Sequence, residues 1–179
     1  VTNITAIIGA RKTGKTYVSD IAQLFLTGAK RMTPDTKLWL DFLELHEMSA
    51  EDFFERHVHE ENKNLLYLFK EFKDSTYYTN CFVNELQSHI QGAVPVIVDN
   101  IYYFRDLAVL IEHKAKIIFI DTPLDKRKEF GYTDNMDKQF YTKEVAAITS
   151  KDVAKWKNTI IIKNTGSPND LKVSLRQLI

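Results

Sequence analysis

Two glycines, a lysine and a threonine stand at fixed offsets in the stretch GARKTGKT, residues 9 to 16, directly after the apolar run TNITAII. The pattern G-x-x-x-x-G-K-[S/T] is met by Gly9, Gly14, Lys15 and Thr16, and its physical demand is narrow. Glycines let the backbone turn its N–H groups inward around phosphate oxygens, where side chains would block the approach. Lys15 supplies a point charge beside the β- and γ-phosphates, Thr16 offers a hydroxyl to Mg²⁺, and the N-terminus of the helix starting there adds its dipole. Gly9, Ala10, Arg11, Lys12, Thr13, Gly14, Lys15, Thr16 and Tyr17 are therefore the expected cradle for a polyphosphate, with ATP and Mg²⁺ as the expected cofactors.

A carboxylate at the end of another buried strand commonly helps hold the metal beside such a loop. Asp99 closes VPVIVD in that position, with Asp121 at the end of KIIFID as its rival. Phosphoryl transfer also needs cations for the charge on the moving group, and the planar fork of arginine is preferred. Of six arginines, Arg105 follows the Asp99 strand by half a dozen residues and opens the next helix, while Arg127 lies in the basic cluster LDKRKEFG. Lys15, Arg105 and Arg127 are the expected catalytic cations. Tyr102 and Tyr103, just past Asp99, are the aromatics expected to meet an acceptor, together with Arg105. His57 and His59 do not make a metal pair, because residues two apart on a helix do not share a face.

These residues need a scaffold, and the chain alternates in a way that supplies one. Four β-branched runs, NITAIIG, VPVIVDN, KIIFID and NTIIIKN, read as strands of a parallel sheet buried on both faces. Between them lie helical patterns. The first runs from Thr13 with Tyr17, Val18, Ile21, Ala22, Leu24 and Phe25 on one face and stops near Gly28. A second has Thr33 as N-cap and Pro34 as first helical residue, with a stripe of Leu38, Trp39, Phe42, Leu43 and Leu45. Ser49 caps a long charged segment, and a further helix carries Tyr78, Phe82, Leu86 and Ile90 before Gly92 ends it. Thr122-Pro123 and Ser167-Pro168 repeat the start signal. Residues 28 to 92 thus read as almost wholly helical, a block rising beside the carboxyl edge of the sheet, where open α/β sheets bind ligands. The stretch GYTDNMDKQ, from Gly131 to Gln139, is the most loop-like and marks a lid over about residues 126 to 140.

Composition narrows the classes of partner. At 179 residues and 44% hydrophobic content the chain suits one compact domain over 1–179. Lysine plus arginine equals aspartate plus glutamate at 24 each, so no overall field holds nucleic acid or an anionic membrane. Cys81 is the only cysteine, no run approaches a membrane helix, and the start does not read as a signal peptide. The expected setting is a soluble, reducing compartment, the cytoplasm. A homodimer is compatible with all of this.

GARKTGKTYVSDIA, LYLFKEFKDSTYYTNCFVNEL, VPVIVDNIYYFRDLAVL, IIFIDTPLDKRKEFGYT and IIIKNTGSPNDLKVSLRQL, in that order, make the chain resemble the P-loop kinase group of phage deoxynucleoside monophosphate kinases and animal-type phosphomevalonate kinases. The resemblance spans nearly the whole chain. It implies a three-layer P-loop kinase fold, an α/β parallel sheet with a helical acceptor-binding insertion, and transfer of the ATP γ-phosphoryl to a small acceptor that already carries phosphate. A monophosphate is largely dianionic at neutral pH and is itself a nucleophile, so no side-chain base is needed. Two positions depart from the group. Thr16 replaces the usual aspartate, and the paired arginines that grip acceptor phosphate map onto Tyr102 and Tyr103, with Arg105 displaced. A flat base held partly by tyrosine suits the chain better than phosphomevalonate, which favours a nucleoside or deoxynucleoside monophosphate. Two other readings stand beside it: a kinase of a hydroxyl on a nucleoside or a modified base in DNA, with Asp41, Glu44 or Asp99 as base, and an ATP-binding protein without transfer.

Overall fold

The computed structural model describes residues 3–53, 65–66, 68–69, 75–134 and 145–178. Its centre is a five-stranded parallel sheet: β1 (Ile4–Ile8), β2 (Lys30–Met32), β3 (Val96–Val98), β4 (Lys116–Asp121) and β5 (Thr159–Lys163), in the order β2-β3-β1-β4-β5. Every residue of β1 and β3 is buried, as continuous β-branched runs require when helices cover both faces. Ile4 pairs with Val96 on one side of β1, and Ala6 with Ile117 on the other.

Alternation along the strands divides the core in two. Ile7, Ile97, Ile118, Ile120 and Ile162 pack against Val18, Ile21 and Ala22 of α1 (Lys15–Phe25) and Leu171 and Leu175 of α8 (Pro168–Leu178). Ile4, Ala6, Ile8, Val96 and Val98 face the other way. There they meet Phe82 and Leu86 of α4 (Ser75–Gln91), Leu107 and Leu110 of α5 (Phe104–Glu112), and Val153 of α7 (Ser150–Val153). Three layers result, helices on both faces of one sheet. A smaller core joins α2 (Thr36–Leu45), α3 (Ala50–Phe53) and α4 through Leu38, Phe42, Phe53, Leu66 and Tyr78. In it Phe53 and Phe69 stand edge-on to Phe42, with ring centroids 6.0 and 5.9 Å away.

Four local expectations change. Residues 28 to 92 contain a strand, β2, which lengthens the sheet beyond β3; only Met32 of its three residues is buried, so no apolar run announces it. The second helix begins at Thr36, not at Pro34: Pro34 and Asp35 form a turn, and the Thr36 hydroxyl and amide both donate to the Thr33 carbonyl. Ala93, at φ 53°, takes the left-handed position that ends α4, a role expected of Gly92. Tyr17, Leu24, Leu45 and Ile90 are exposed rather than part of their helices' buried stripes. Ser49 does cap α3 in a reciprocal box with Asp52, and Ser167 opens α8 in the same way with Asp170. His57 and His59, with residues 135–140 of the expected lid, lie outside the described residues. The first described part of the stretch expected to be a lid, residues 126–129, lies in α6 (Leu124–Glu129), which is followed by a turn. No helix among the described residues is long and apolar enough to cross a membrane.

Candidate functional site

Residues 9 to 14 link the buried end of β1 to α1, and their backbone is possible only with glycine at two points. Gly9 has φ 149°, and a Cβ there would lie 2.7 Å from the Ile120 carbonyl oxygen and 3.0 Å from Thr13 Oγ1. Gly14, at φ 91°, is the N-cap of α1. Lys12 adds a third left-handed residue at φ 58°. The loop therefore curls on itself, and short hydrogen bonds fix the curl. Thr13 Oγ1 donates to the Ala10 carbonyl at 2.9 Å and Lys15 Nζ to the same oxygen at 2.6 Å.

Two neighbouring strand ends hold the loop from below. Thr122 Oγ1, past β4, and Asn164 Nδ2, past β5, both donate to the Thr13 carbonyl at 3.0 Å. Both are buried, and the Asn164 amide donates to the Asp121 carbonyl at 2.8 Å, tying the two strand ends together. Thr122 was expected to cap a helix; its hydroxyl is spent on the loop instead. Neither role is visible in sequence, because each bond spans more than a hundred residues.

Above the loop opens a cleft of about 720 Å³ at the carboxyl edge of the sheet. Arg11 to Tyr17 line it, along with Asn100 and Tyr102 after β3, Lys126 and Phe130 at α6, and Asn164 with Gly166, Ser167, Pro168 and Leu171 after β5. Gly9 and Ala10, expected as part of the cradle, are not among its lining residues. Charge is concentrated at its floor. Burial first, then the positive Arg11 and Arg127, push the Lys15 amine down to about 8, against an opposing pull from Asp99. Arg127 Nε donates to the Arg11 carbonyl at 2.7 Å and its guanidinium stacks on Tyr132, 4.1 Å from the ring centroid. Arg127 thus braces the loop from outside the cleft.

Tyr102 lines the cleft, whereas Tyr103 and Arg105 do not. The chain turns through Asn100 at φ 53° and then runs extended, with Tyr103 at φ −110°, ψ 142° as the N-cap of α5. Adjacent residues of an extended segment face opposite ways, so Tyr103 turns inward and is buried. Arg105, in the first turn of α5, follows it, its guanidinium 4.8 Å from the Tyr103 ring centroid. The structure thus separates the two tyrosines that sequence spacing groups together.

Asp99 is buried at the tip of β3, and Arg31 of β2 holds one of its oxygens: Nε donates to Oδ2 at 2.8 Å. Mg²⁺ takes few protein ligands, one or two carboxylates or hydroxyls alongside substrate phosphates. Thr16 lines the cleft, while Asp99 is buried at the strand end just before Asn100 and is not itself among the lining residues; one hydroxyl and one carboxylate are chemically compatible with so modest a set. Among the described residues no group of three or more histidine, cysteine, aspartate or glutamate side chains forms a dedicated metal cage.

No family model matches the chain, and no curated protein matches it in sequence. Solved structures do match in fold. A sugar kinase from Janibacter sp. HTCC2649 is similar over 99% of this chain and 94% of its own, at 12% identity and TM-score 0.58. Dephospho-CoA kinase from Campylobacter jejuni is similar over 98% and 95%, at 19% identity and TM-score 0.57. Shikimate kinase from Aquifex aeolicus vf5 is similar over 98% and 94%, at 14% identity and TM-score 0.51. The likeness extends from end to end, and the chain has the α/β fold of P-loop kinases.

Proposed function

We propose that the protein is an ATP-dependent phosphotransferase that moves the γ-phosphoryl of ATP to a small acceptor, and that the acceptor is a nucleoside or deoxynucleoside monophosphate. The observation that carries the reading is the loop itself: a backbone that excludes a Cβ at Gly9, with Lys15 at its mouth, opening on a cleft of about 720 Å³. That the three fold neighbours described above are named as a sugar kinase, a dephospho-CoA kinase and a shikimate kinase supports transfer to a small acceptor.

In this reading backbone amides of residues 12 to 16 and the start of α1 hold the β- and γ-phosphates. Lys15 leaves the Ala10 carbonyl to meet them, and Arg127 keeps the loop in register through Arg11. Thr16 and Asp99 hold Mg²⁺, which when bound offsets charge on the phosphate oxygens. Residues 28–92 form the acceptor side and about 126–140 the lid of one domain. Tyr102 offers a ring to the acceptor base. A hydroxyl acceptor is served less well. Of its candidate bases, Asp99 has Oδ2 committed to Arg31, Asp41 is paired with Lys37, and Glu44 is exposed on α2.

A coupled assay of ADP release with Mg·ATP and a panel of ribo- and deoxynucleoside monophosphates, free nucleosides and phosphomevalonate tests the proposal. Stimulation by one or a few nucleoside monophosphates is expected. Stimulation only by unphosphorylated acceptors, or by none despite ATP binding, would overturn it.

A further inference from the structure

Arg31 has no assigned task, yet it joins three elements, β2, the end of β3 and α1. On β2 it pairs in register with Ile97 of β3, whose side chain packs on the α1 face of the sheet. Arg31 lies on that face too, and so does Asp99, two residues beyond Ile97. The guanidinium connects them. Nε donates to Asp99 Oδ2 at 2.8 Å and Nη2 lies 2.5 Å from the same oxygen, while Nη1 donates to Asp20 Oδ1 at 2.6 Å. Asp20 sits on α1 one turn after Thr16, so both belong to the same helix face.

The way the fork is used is informative. An arginine that only neutralises a buried carboxylate commonly engages both oxygens with two parallel N–H groups. Here both contacts fall on Oδ2 and the remaining arm turns to Asp20, so Oδ1 is not engaged by Arg31. The carboxylate is nearly out of water, at 4% side-chain exposure, against 27% for Arg31. Its field nevertheless reaches Lys15 at the mouth of the phosphate loop. One oxygen is fixed by Arg31 and the other is not, in a residue that directly precedes Asn100 of the cleft wall.

We propose that Arg31 is the positioning residue of the metal site. By clamping Oδ2 it sets the rotamer of Asp99 so that Oδ1 meets the Mg²⁺ of a bound nucleotide, and Asp20 keeps the clamp in place. This rests on the reading of the cleft as a magnesium-nucleotide site. Groups that orient a metal ligand in this way are commonly worth about 10- to 100-fold in metal affinity.

The test uses Mn²⁺ in place of Mg²⁺, its free concentration read by electron paramagnetic resonance as it is titrated into protein saturated with ADP. Arg31→Met keeps the apolar stem and should weaken Mn²⁺ binding in the ADP complex by about 10- to 100-fold, leaving metal-free ADP affinity unchanged. Arg31→Lys restores charge without the fork and should recover only part. Asp20→Asn, at an exposed position, should show a smaller loss in the same direction, and it carries the test if Arg31→Met does not fold. In an Asp99→Asn background Arg31→Met should have no further effect. Undiminished Mn²⁺ binding, an equal loss of ADP affinity with and without metal, or the same loss without Asp99 would overturn the inference. Failure of the wild-type protein to take up any metal-nucleotide would instead strike the reading of the cleft.

Discussion

Lys15 carries its charge where burial and two arginines oppose it, and its amine falls to about 8 from the ordinary 10.5. At neutral pH it is still a cation, resting on the Ala10 carbonyl. Phosphate oxygens in place of that carbonyl favour the charged form and raise the pKa again. At about pH 8.5, therefore, ADP binding should take up protons, measured by calorimetry in buffers of different ionisation enthalpy, and Lys15→Met should take up none. The same shift bears on stability. Between about 8 and 10.5 the unfolded chain binds more protons than the folded one, so stability rises with pH through that window and the penalty is complete below it. Lys15→Met should flatten the rise. Gly9→Ala should cost about 2 kcal/mol or more in denaturant unfolding, since its Cβ meets the Ile120 carbonyl oxygen and its φ disfavours any side chain. Arg127 is expected from sequence to act in catalysis, but it braces Arg11 from outside the cleft, so Arg127→Ala should weaken ATP binding at least as much as it lowers kcat. A fall in kcat with ATP affinity unchanged would instead give it a role in the transition state.

Elements matter here through their ends. The loop at β1 stays curled because Thr122 and Asn164, at the ends of β4 and β5, share the Thr13 carbonyl. Thr122→Val and Asn164→Ala should each cost about 1–2 kcal/mol and weaken ADP binding, and because they share one acceptor the double variant should depart from additivity. Urea unfolding and calorimetry on the three variants measure it. What could be read from sequence at this scale follows from range. GARKTGKT states its backbone locally, since glycine spacing and lysine are themselves the motif, and the β-branched runs of β1, β3 and β4 declare burial on both faces; the same pattern in β5 overstates it, because that strand is the sheet edge and buries only Ile162 while Ile161 is exposed. β2 is three residues, Lys-Arg-Met, too short and polar to show a period. Position after Asp99 groups Tyr103 and Arg105 with Tyr102 in the sequence, and only the extended backbone before α5 reveals that they turn away.

Across the whole molecule, the order β2-β3-β1-β4-β5 brings the ends of β1, β3, β4 and β5 to one edge, so residues from Arg11 to Leu171 wall one cleft. The α/β class, the parallel sheet and the loop's place after the first strand were legible because each rests on local pattern. The Arg31–Asp99 pair was not, since it joins residues 68 apart through a strand that sequence does not show. Mg·ADP at about 100 times its Kd should stabilise the fold by about 2.7 kcal/mol, seen as a rise in Tm. The most direct test of the account is a calorimetric titration of a magnesium complex of a non-hydrolysable ATP analogue into wild type and Lys15→Met. Saturable one-site binding by wild type, weakened about tenfold or more in the variant, is the predicted result. No uptake by folded wild-type protein, or equal affinity without the lysine, would contradict it.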